Sequence, residues 1–183
     1  MSSQIEQIKA LREKTGLGVI ECKKALEESG DNVEKALELL KVKGIKIAEK
    51  KESRETKEGL VGSYVHTNGK IGVLVEVTCE SDFVARTDDF KELIKNISLH
   101  ITALSPVWIT KESIPVDIIK EKEKNFGQDA EKKLEEFFKE KVLLNQPFVK
   151  DNAITVEDYI KEKIAKLGEN IKVTKFARFQ IGE

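Results

Sequence analysis

The sequence predicts an α+β fold, in which an N-terminal three-helix module precedes a core made of a three-stranded antiparallel sheet packed with helices. The module is predicted by residues 3–47, where three short stretches place apolar residues at helical spacing and end at breaks. The sheet is predicted by residues 60–78, where two β-rich runs flank Asn68-Gly69. That dipeptide is the strongest short hairpin signal, because both turn positions need positive φ.

Three helices are predicted in the N-terminal module. Ser3 and Glu6 have the spacing of a capping box at the start of the first helix, and Gly44 is predicted to end the third. Such a bundle resembles the ubiquitin-associated type of module, which is a common protein-binding unit. Val19 and Ile20 begin the second helix and point about 100° apart. They are therefore either both partly buried or part of an exposed apolar tip.

Residues 46–58 are nearly all charged, with acids and bases interleaved throughout. This pattern predicts an extension of the third helix that passes into a solvated connector. We therefore divide the chain into a partner-binding module over residues 1–50, a charged linker over residues 51–58 and an α+β core over residues 59–183.

The turn at Asn68-Gly69 also predicts the register of the hairpin. Across a two-residue turn, the pairs that should share the buried face are His66 with Ile71, Tyr64 with Val73, Gly62 with Val75, and Leu60 with Val77. Residues 171–181 alternate in the same way and are predicted to join the hairpin as the third strand.

The core is predicted to contain several helices. The longest begins after a cap at Thr87 and ends at Ser105-Pro106. His100 lies off its apolar stripe, so we expect His100 at the surface or at the edge of the core. The other predicted elements are a charged, mostly helical stretch over residues 115–143 and a last helix from Thr155 to Gly168. Within the charged stretch, residues 131–136 are predicted as a solvated hairpin of helices. Residues 144–151 are predicted as a loop that ends in an extended segment.

The stretch between the hairpin and the long helix, residues 79–86 (CESDFVAR), is the strongest candidate for a functional site, and we call it the junction. It places the large aromatic Phe83 beside the acid Asp82 where a strand passes into a helix. Such positions tend to be surface sites that rigid elements hold on both sides. The alternative is that Phe83 is a core residue which closes the junction.

The composition narrows the class of protein. Of the 183 residues 36% are charged, and 32 Lys and Arg nearly balance 33 Asp and Glu. The balance gives no support for direct binding of nucleic acid or of an anionic membrane. No window holds the roughly 18 apolar residues of a membrane span. Cys22 and Cys79, without a signal sequence, predict a cytoplasmic protein with reduced thiols.

No motif for catalysis is present in the sequence. The chain has no GxGxxG, P-loop, GxSxG or HExxH pattern. Its two cysteines and its two histidines, His66 and His100, are too scattered for metal-ligand spacing. We therefore expect a protein that has no catalytic residues, no cofactor and no metal site of its own.

Separated stretches of the chain carry a resemblance to a known family. They are residues 11–26 (LREKTGLGVIECKKAL), the junction, residues 146–149 (QPFV) and residues 178–183 (RFQIGE). In this order they resemble the signatures of the elongation factor Ts family, the nucleotide-exchange factors of the bacterial translation GTPase elongation factor Tu. The matches cover most of the chain, so the resemblance is specific.

The resemblance implies a guanine-nucleotide exchange factor rather than an enzyme with a chemical active site. Family members bind elongation factor Tu–GDP and promote GDP release and exchange for GTP. The residues implied in binding this partner are Leu11, Arg12, Val19 and Ile20, and those implied in dislocating the partner's Mg²⁺ are Ser81, Asp82, Phe83 and Val84.

The chain departs from the family's usual pattern in two motifs. Val19 and Ile20 stand where the family usually has Met-Met, and the pair here is stiffer and smaller. Ser81 stands where Thr is usual, and it keeps the hydroxyl. The chain has one hairpin, like short family members in which two chains supply two half-cores. The resemblance therefore implies a homodimer, with residues 59–183 as the dimerisation domain.

Two functions of other classes fit parts of the sequence. A ubiquitin-associated-like adaptor would bind a peptide through the first three helices alone. A ribosome-associated or RNA-associated protein would use the basic residues between positions 41 and 57, and its RNA binding would depend steeply on salt.

Overall fold

Residues 3–182, the part of the chain that the computed structural model describes, form eight α-helices and five β-strands. The helices are α1 (Gln4–Thr15), α2 (Val19–Glu28), α3 (Val33–Glu49), α4 (Asp82–Ala85), α5 (Asp88–Leu104), α6 (Val116–Phe126), α7 (Ala130–Lys141) and α8 (Val156–Leu167). The strands are β1 (Glu58–Val65), β2 (Ile71–Cys79), β3 (Pro147–Phe148), β4 (Asp151–Thr155) and β5 (Ile171–Gln180). The α+β class is confirmed.

The three N-terminal helices form around a small apolar core, as predicted. The capping box of α1 is present: the Ser3 hydroxyl accepts the N–H of Glu6, and the Glu6 carboxylate accepts the N–H of Ser3 at 2.9 Å. Asn32 caps α3 through the N–H of Lys35. The buried residues of this core are Leu11, Leu17, Cys22, Ala25, Leu26, Ala36 and Leu40.

Helix α3 joins the N-terminal module to the core, because it continues through Gly44 and packs along α8. The prediction that Gly44 ends the helix was wrong. A Cβ at Gly44 would lie 3.3 Å from the Cβ of Ala165, so the glycine allows the two helices to approach closely. Ala48, one turn further, is buried in the main core.

The segment after α3 is hydrogen-bonded to the turn between α8 and β5. Lys51 Nζ donates to the carbonyl of Gly168 at 2.6 Å. Asn170 Nδ2 donates to the carbonyls of Glu52 and Arg54 at 3.1 and 2.7 Å. The charged segment therefore lies against the core, where the sequence predicted a solvated connector.

The main sheet has the strand order β1-β2-β5 and is antiparallel throughout. The predicted register is confirmed, since Tyr64 pairs with Val73, Gly62 with Val75 and Leu60 with Val77. Val73, Val75 and Val77 are buried on the inner face, which α5 covers. Strand β5 pairs with the other edge of β2 and has a register shift beside Glu76 and Val77.

Helix α5 is buried on two sides, and this corrects the prediction for His100. One side packs on β1 and β2, and the other side meets α8 and the segment around β3. His100 is fully buried, where Oε1 of Gln146 lies 2.8 Å from its Nε2 and the N–H of Val149 donates to its Nδ1. The prediction was wrong because the apolar stripe marks only the side that faces the sheet.

The remaining elements complete the core. The charged stretch is helical as predicted, but its hairpin turns at residues 127–129 between α6 and α7, and residues 131–136 lie within α7. Thr155 caps α8, and Gly168 follows its last residue. Residues 144–151, predicted as a loop that ends in an extended segment, contain the two-residue strand β3, which pairs with β4. None of the described helices combines the length and the apolar character that a membrane crossing requires.

Candidate functional site

The junction presents Phe83 to solvent on a short, anchored helix. Strand β2 ends at Cys79, and the Ser81 hydroxyl caps α4 by accepting the N–H of Val84. Val84 and Ala85 are buried in the main core, so the other side of this single helical turn faces outward. Phe83 lies on that side and is 80% exposed. The alternative that Phe83 is a core residue is therefore wrong.

An exposed phenylalanine is unusual, because its burial would stabilise a protein by roughly 1.5–3 kcal/mol. Here the ring lies outside the core, although Val84 and Ala85, which follow it, are buried. An exposed aromatic side chain on a rigid element is the type of residue that dominates the binding energy of protein interfaces. The geometry of the junction therefore favours contact with another protein.

Glu169, in the turn between α8 and β5, binds the start of the junction. Its Oε2 accepts the N–H groups of Glu80 and Ser81 at 3.1 and 2.9 Å, and its Oε1 accepts the Ser81 hydroxyl at 2.5 Å. The Glu80 carboxylate in turn accepts the N–H of Asn170 at 2.6 Å. Sequence reasoning missed Glu169, since nothing in a single sequence relates position 169 to position 81.

Asp82 lies at the first position of α4 and remains partly accessible. Its carboxylate forms an ion pair with Arg86 at 2.7 Å, one turn along the chain. Both side chains are substantially exposed, so this ion pair contributes little to stability. The carboxylate is therefore available to a partner next to Phe83.

Cys79 is not a nucleophile, although it lies in the junction. Its thiol donates to the carbonyl of Ser81 at 3.1 Å, and burial together with the nearby Glu169 raises the pKa of Cys79 to about 11. The thiol therefore stays protonated near neutral pH. Burial raises the pKa of the Cys22 thiol as well.

The N-terminal site residues separate into one buried and three exposed side chains. Leu11 is 0% exposed and lies inside the core of the module, whereas Arg12 beside it is exposed. Val19 and Ile20, in the first turn of α2, are 51% and 68% exposed. The two alternatives for this pair are thereby decided in favour of an exposed apolar tip.

The predicted site residues thus form two groups on different elements. Ser81, Asp82, Phe83 and Val84 are brought together in α4 and its cap, while the N-terminal group lies at the end of α1 and the start of α2. Within the described residues, no group of three or more His, Cys, Asp or Glu side chains is arranged to hold a metal ion.

Comparison with known proteins gives a match over nearly the whole chain. The family model described as Elongation factor TS matches residues 3–183. The chain belongs to the elongation factor Ts family.

Several curated members of the elongation factor Ts family are similar to the chain over its full length. The elongation factor Ts of Fervidobacterium nodosum is 52% identical, with 100% of each chain covered. The protein of the same name from Thermosipho melanesiensis is 51% identical over 96% of this chain and 97% of that one. That of Thermotoga maritima is 47% identical over 100% and 98%. The resemblance found in the sequence is confirmed, and membership places the chain among translation elongation factors.

Proposed function

We propose that this chain is a guanine-nucleotide exchange factor that binds elongation factor Tu–GDP and promotes the exchange of GDP for GTP. The observation that carries the proposal is Phe83, a large aromatic ring that is 80% exposed on a helix anchored between β2 and α5. The family membership supports the choice of partner. The proposed function requires no chemical step on this chain, and the proposed location is the cytoplasm.

Nucleotide exchange requires a difference in binding rather than contact with the nucleotide. A factor that binds the nucleotide-free partner more tightly than the loaded one must weaken nucleotide binding by the same ratio. Each 1.4 kcal/mol or so of this difference corresponds to about tenfold. Burial of one phenylalanine contributes roughly 1.5–3 kcal/mol. Insertion of Phe83 into the GTPase therefore accounts for a large part of a fast release.

The proposed mechanism assigns different tasks to the residues of the junction. Phe83 inserts between helices of the GTPase domain, and the Asp82 carboxylate approaches the elements that hold Mg²⁺ and the phosphates there. Ser81 caps the helix that carries Phe83 and Asp82, and Val84 anchors this helix in the core. The Mg²⁺ belongs to the partner, so the chain itself needs no metal ligands.

The N-terminal module is proposed to dock on the same GTPase domain. Arg12, Val19 and Ile20 are exposed and form its contact surface. The Leu11 side chain supports them from inside the module, because it is fully buried in the core on which α1 and α2 pack.

A homodimer is the proposed assembly. Among residues 3–182, helices pack on the inner face of the main sheet, and the outer face carries large exposed apolar side chains. We call this surface the apolar sheet face, and its residues are Val61, Val65, Leu74, Phe179 and Ile181. Contiguous exposed apolar patches on soluble proteins mark interaction sites.

The test is stopped-flow release of labelled GDP from elongation factor Tu, with the wild-type chain and with Phe83→Ala. We expect at least about a tenfold slower release with Phe83→Ala, because the burial of one ring is lost on binding. Folding should be unchanged, since the ring is exposed. Val116→Ala, which shortens an exposed apolar side chain on α6, is the control. Unchanged release combined with a large loss of stability would contradict the proposal.

A further inference from the structure

We propose that Glu169 is a positioning residue for Phe83 in nucleotide exchange. The inference rests on the proposed function, and it assigns to the turn between α8 and β5 a role that neither the resemblance nor the family motifs contain. Glu169 does not reach a partner through its own side chain in this role. It acts by fixing the direction in which α4 presents the phenylalanine ring.

One carboxylate accepts three hydrogen bonds near the start of the junction. Glu169 accepts two backbone N–H groups and one hydroxyl from the consecutive residues Glu80 and Ser81, at 2.5 to 3.1 Å. Hydrogen bonds to an ionised acceptor are about twice as strong as those between neutral groups. The backbone between β2 and α4 is therefore held at one point by a side chain that is distant in sequence.

Helix α4 is too short to hold its own direction. It has four residues, and an isolated single turn of helix is unstable because nucleation is unfavourable. The capping hydroxyl of Ser81 lies 3.4 Å from the N–H of Val84, at the limit of a hydrogen bond. The same hydroxyl donates to Glu169 at 2.5 Å. The cap of α4 is thus oriented mainly by Glu169.

The turn that carries Glu169 is itself hydrogen-bonded on two sides. Asn170 donates its N–H to the Glu80 carboxylate, so the junction and the turn bind each other reciprocally. The Asn170 side chain is 2% exposed and donates to the carbonyls of Glu52 and Arg54. These two residues follow α3, which belongs to the N-terminal module. One turn therefore links the junction to the segment that follows α3.

Such a link matters for binding because ordering a mobile segment reduces affinity. With Glu169 in place, Phe83 enters the partner without a prior loss of freedom in the junction. Without Glu169, the start of α4 loses three hydrogen bonds, and the ring is distributed over several directions. The buried neighbours Val84 and Ala85 still hold the helix in the fold. We therefore expect a folded protein that docks normally on the GTPase but accelerates the release of its GDP less.

The experiment compares Glu169→Ala and Glu169→Gln with the wild-type chain in stopped-flow GDP release from elongation factor Tu. At saturating concentration, we expect release to slow about tenfold with Glu169→Ala, equal to about 1.4 kcal/mol of barrier. The half-saturating concentration should change less than about twofold, because the N-terminal module still docks. Glu169→Gln keeps one acceptor oxygen, so its rate of GDP release should lie between those of the wild-type chain and Glu169→Ala. Glu135→Gln, on the exposed side of α7, is the matched control.

A double-mutant cycle with Phe83→Ala distinguishes positioning from general support of the fold. If Glu169 acts through Phe83, Glu169→Ala slows release by less than about twofold further when the ring is already absent. An equal loss in both backgrounds overturns the proposal. Unchanged release with Glu169→Ala, beside slow release with Phe83→Ala, overturns the role of Glu169 alone. Unchanged release with Phe83→Ala overturns the proposed function, and with it this role in exchange.

A measurement without the partner tests the structural step directly. Trp108 is the single tryptophan of the chain, so Trp108→Phe combined with Phe83→Trp places one indole at the junction. Time-resolved fluorescence anisotropy should show a larger fast component when Glu169→Ala is added, because the indole is then less restricted. An unchanged decay contradicts the idea that Glu169 orients position 83. Circular dichroism verifies folding, and Glu169→Gln replaces Glu169→Ala in every arm if the alanine variant unfolds.

Discussion

His100 is a buried neutral imidazole, and its hydrogen bonds determine its protonation. Because Nδ1 accepts the N–H of Val149 at 3.2 Å, the proton of the neutral ring lies on Nε2 and is donated to Gln146. Desolvation by burial lowers the pKa of His100. The Gln146 amide donates onward to the carbonyls of Glu140 and Leu104. This network connects His100, on α5, with the C-terminal ends of α5 and α7.

The lowered pKa predicts that acid destabilises the protein through His100. The unfolded chain binds a proton near pH 6.5, the ordinary value for histidine, whereas the folded protein resists it. The free energy of unfolding should therefore fall as the pH drops below about 6.5, by up to about 1.4 kcal/mol per pH unit. Urea unfolding between about pH 7.5 and 5.5 should show this slope in the wild-type chain and lose it in His100→Gln. His66→Gln, at the hairpin, should keep it.

Single residues were predicted well where their neighbours in sequence determine their surroundings. The capping box at Ser3 and the cap at Thr87 depend on three or four consecutive residues, and both are present. The environment of His100 depends on Gln146 and Val149, which are more than forty positions away. Residues whose contacts are this distant cannot be placed from periodicity alone.

Strand β1 and helix α5 approach each other closely at Gly62. A Cβ at Gly62 would lie 2.0 Å from Cγ2 of Ile94, which is closer than two carbon atoms can approach. Gly62→Ala should therefore destabilise the fold by about 1–3 kcal/mol, because the helix must shift away from the sheet. Chemical denaturation measures the change.

Gly72 provides the matched control for this prediction, since it lies in the neighbouring strand of the same sheet. A Cβ at Gly72 has nothing within 4 Å, so Gly72→Ala should change stability little. Gly62→Ala should also cost less in an Ile94→Ala background, because the interfering methyl group is then absent. Equal effects of the two glycine substitutions would contradict the close approach of β1 and α5.

Whole elements were predicted from turn chemistry and periodicity, and the exceptions have physical causes. The Asn68-Gly69 turn predicted the register of β1 and β2 correctly, although the predicted turn geometry was wrong. The N–H of Gly69 donates to the carbonyl of His66, and Gly69 has a positive φ whereas Asn68 does not. An extended end of the 144–151 loop was predicted, but the pairing of β3 with β4 was missed because β3 has two residues and contains Pro147, which removes a ladder donor. Gly44 was interpreted as a helix end, although its role is contact with Ala165.

At the scale of the whole molecule, the main difference from the sequence prediction is how the charged segment is bound. Charge composition predicted solvent around residues 51–58, yet main-chain carbonyls of this segment accept hydrogen bonds from Asn170. Composition describes side chains, so it cannot reveal that the backbone of a charged segment is fixed to the core. The division into module, linker and core stays a prediction, which independent folding of residues 1–50 would test.

The apolar sheet face leads to the last prediction, which concerns assembly. Leu74 lies at its centre, on the middle strand between Ser63 and Ala177. Burying five large apolar side chains against a second copy supplies the kind of apolar core that homodimer interfaces have. Sedimentation equilibrium should therefore give a dimer at micromolar concentration for the wild-type chain. Leu74→Glu should shift it to monomer, because each interface would bury two unpaired carboxylates at a two-fold axis.

Val107→Glu is the control for this experiment, because Val107 is an exposed valine outside the apolar sheet face. It introduces the same charge and should leave the dimer intact. A wild-type monomer at micromolar concentration would contradict the proposed assembly. A Leu74→Glu dimer would instead show that the copies associate through another surface, such as the helices. Phe83 lies on α4, outside the apolar sheet face. A folded monomeric Leu74→Glu variant should therefore still accelerate GDP release.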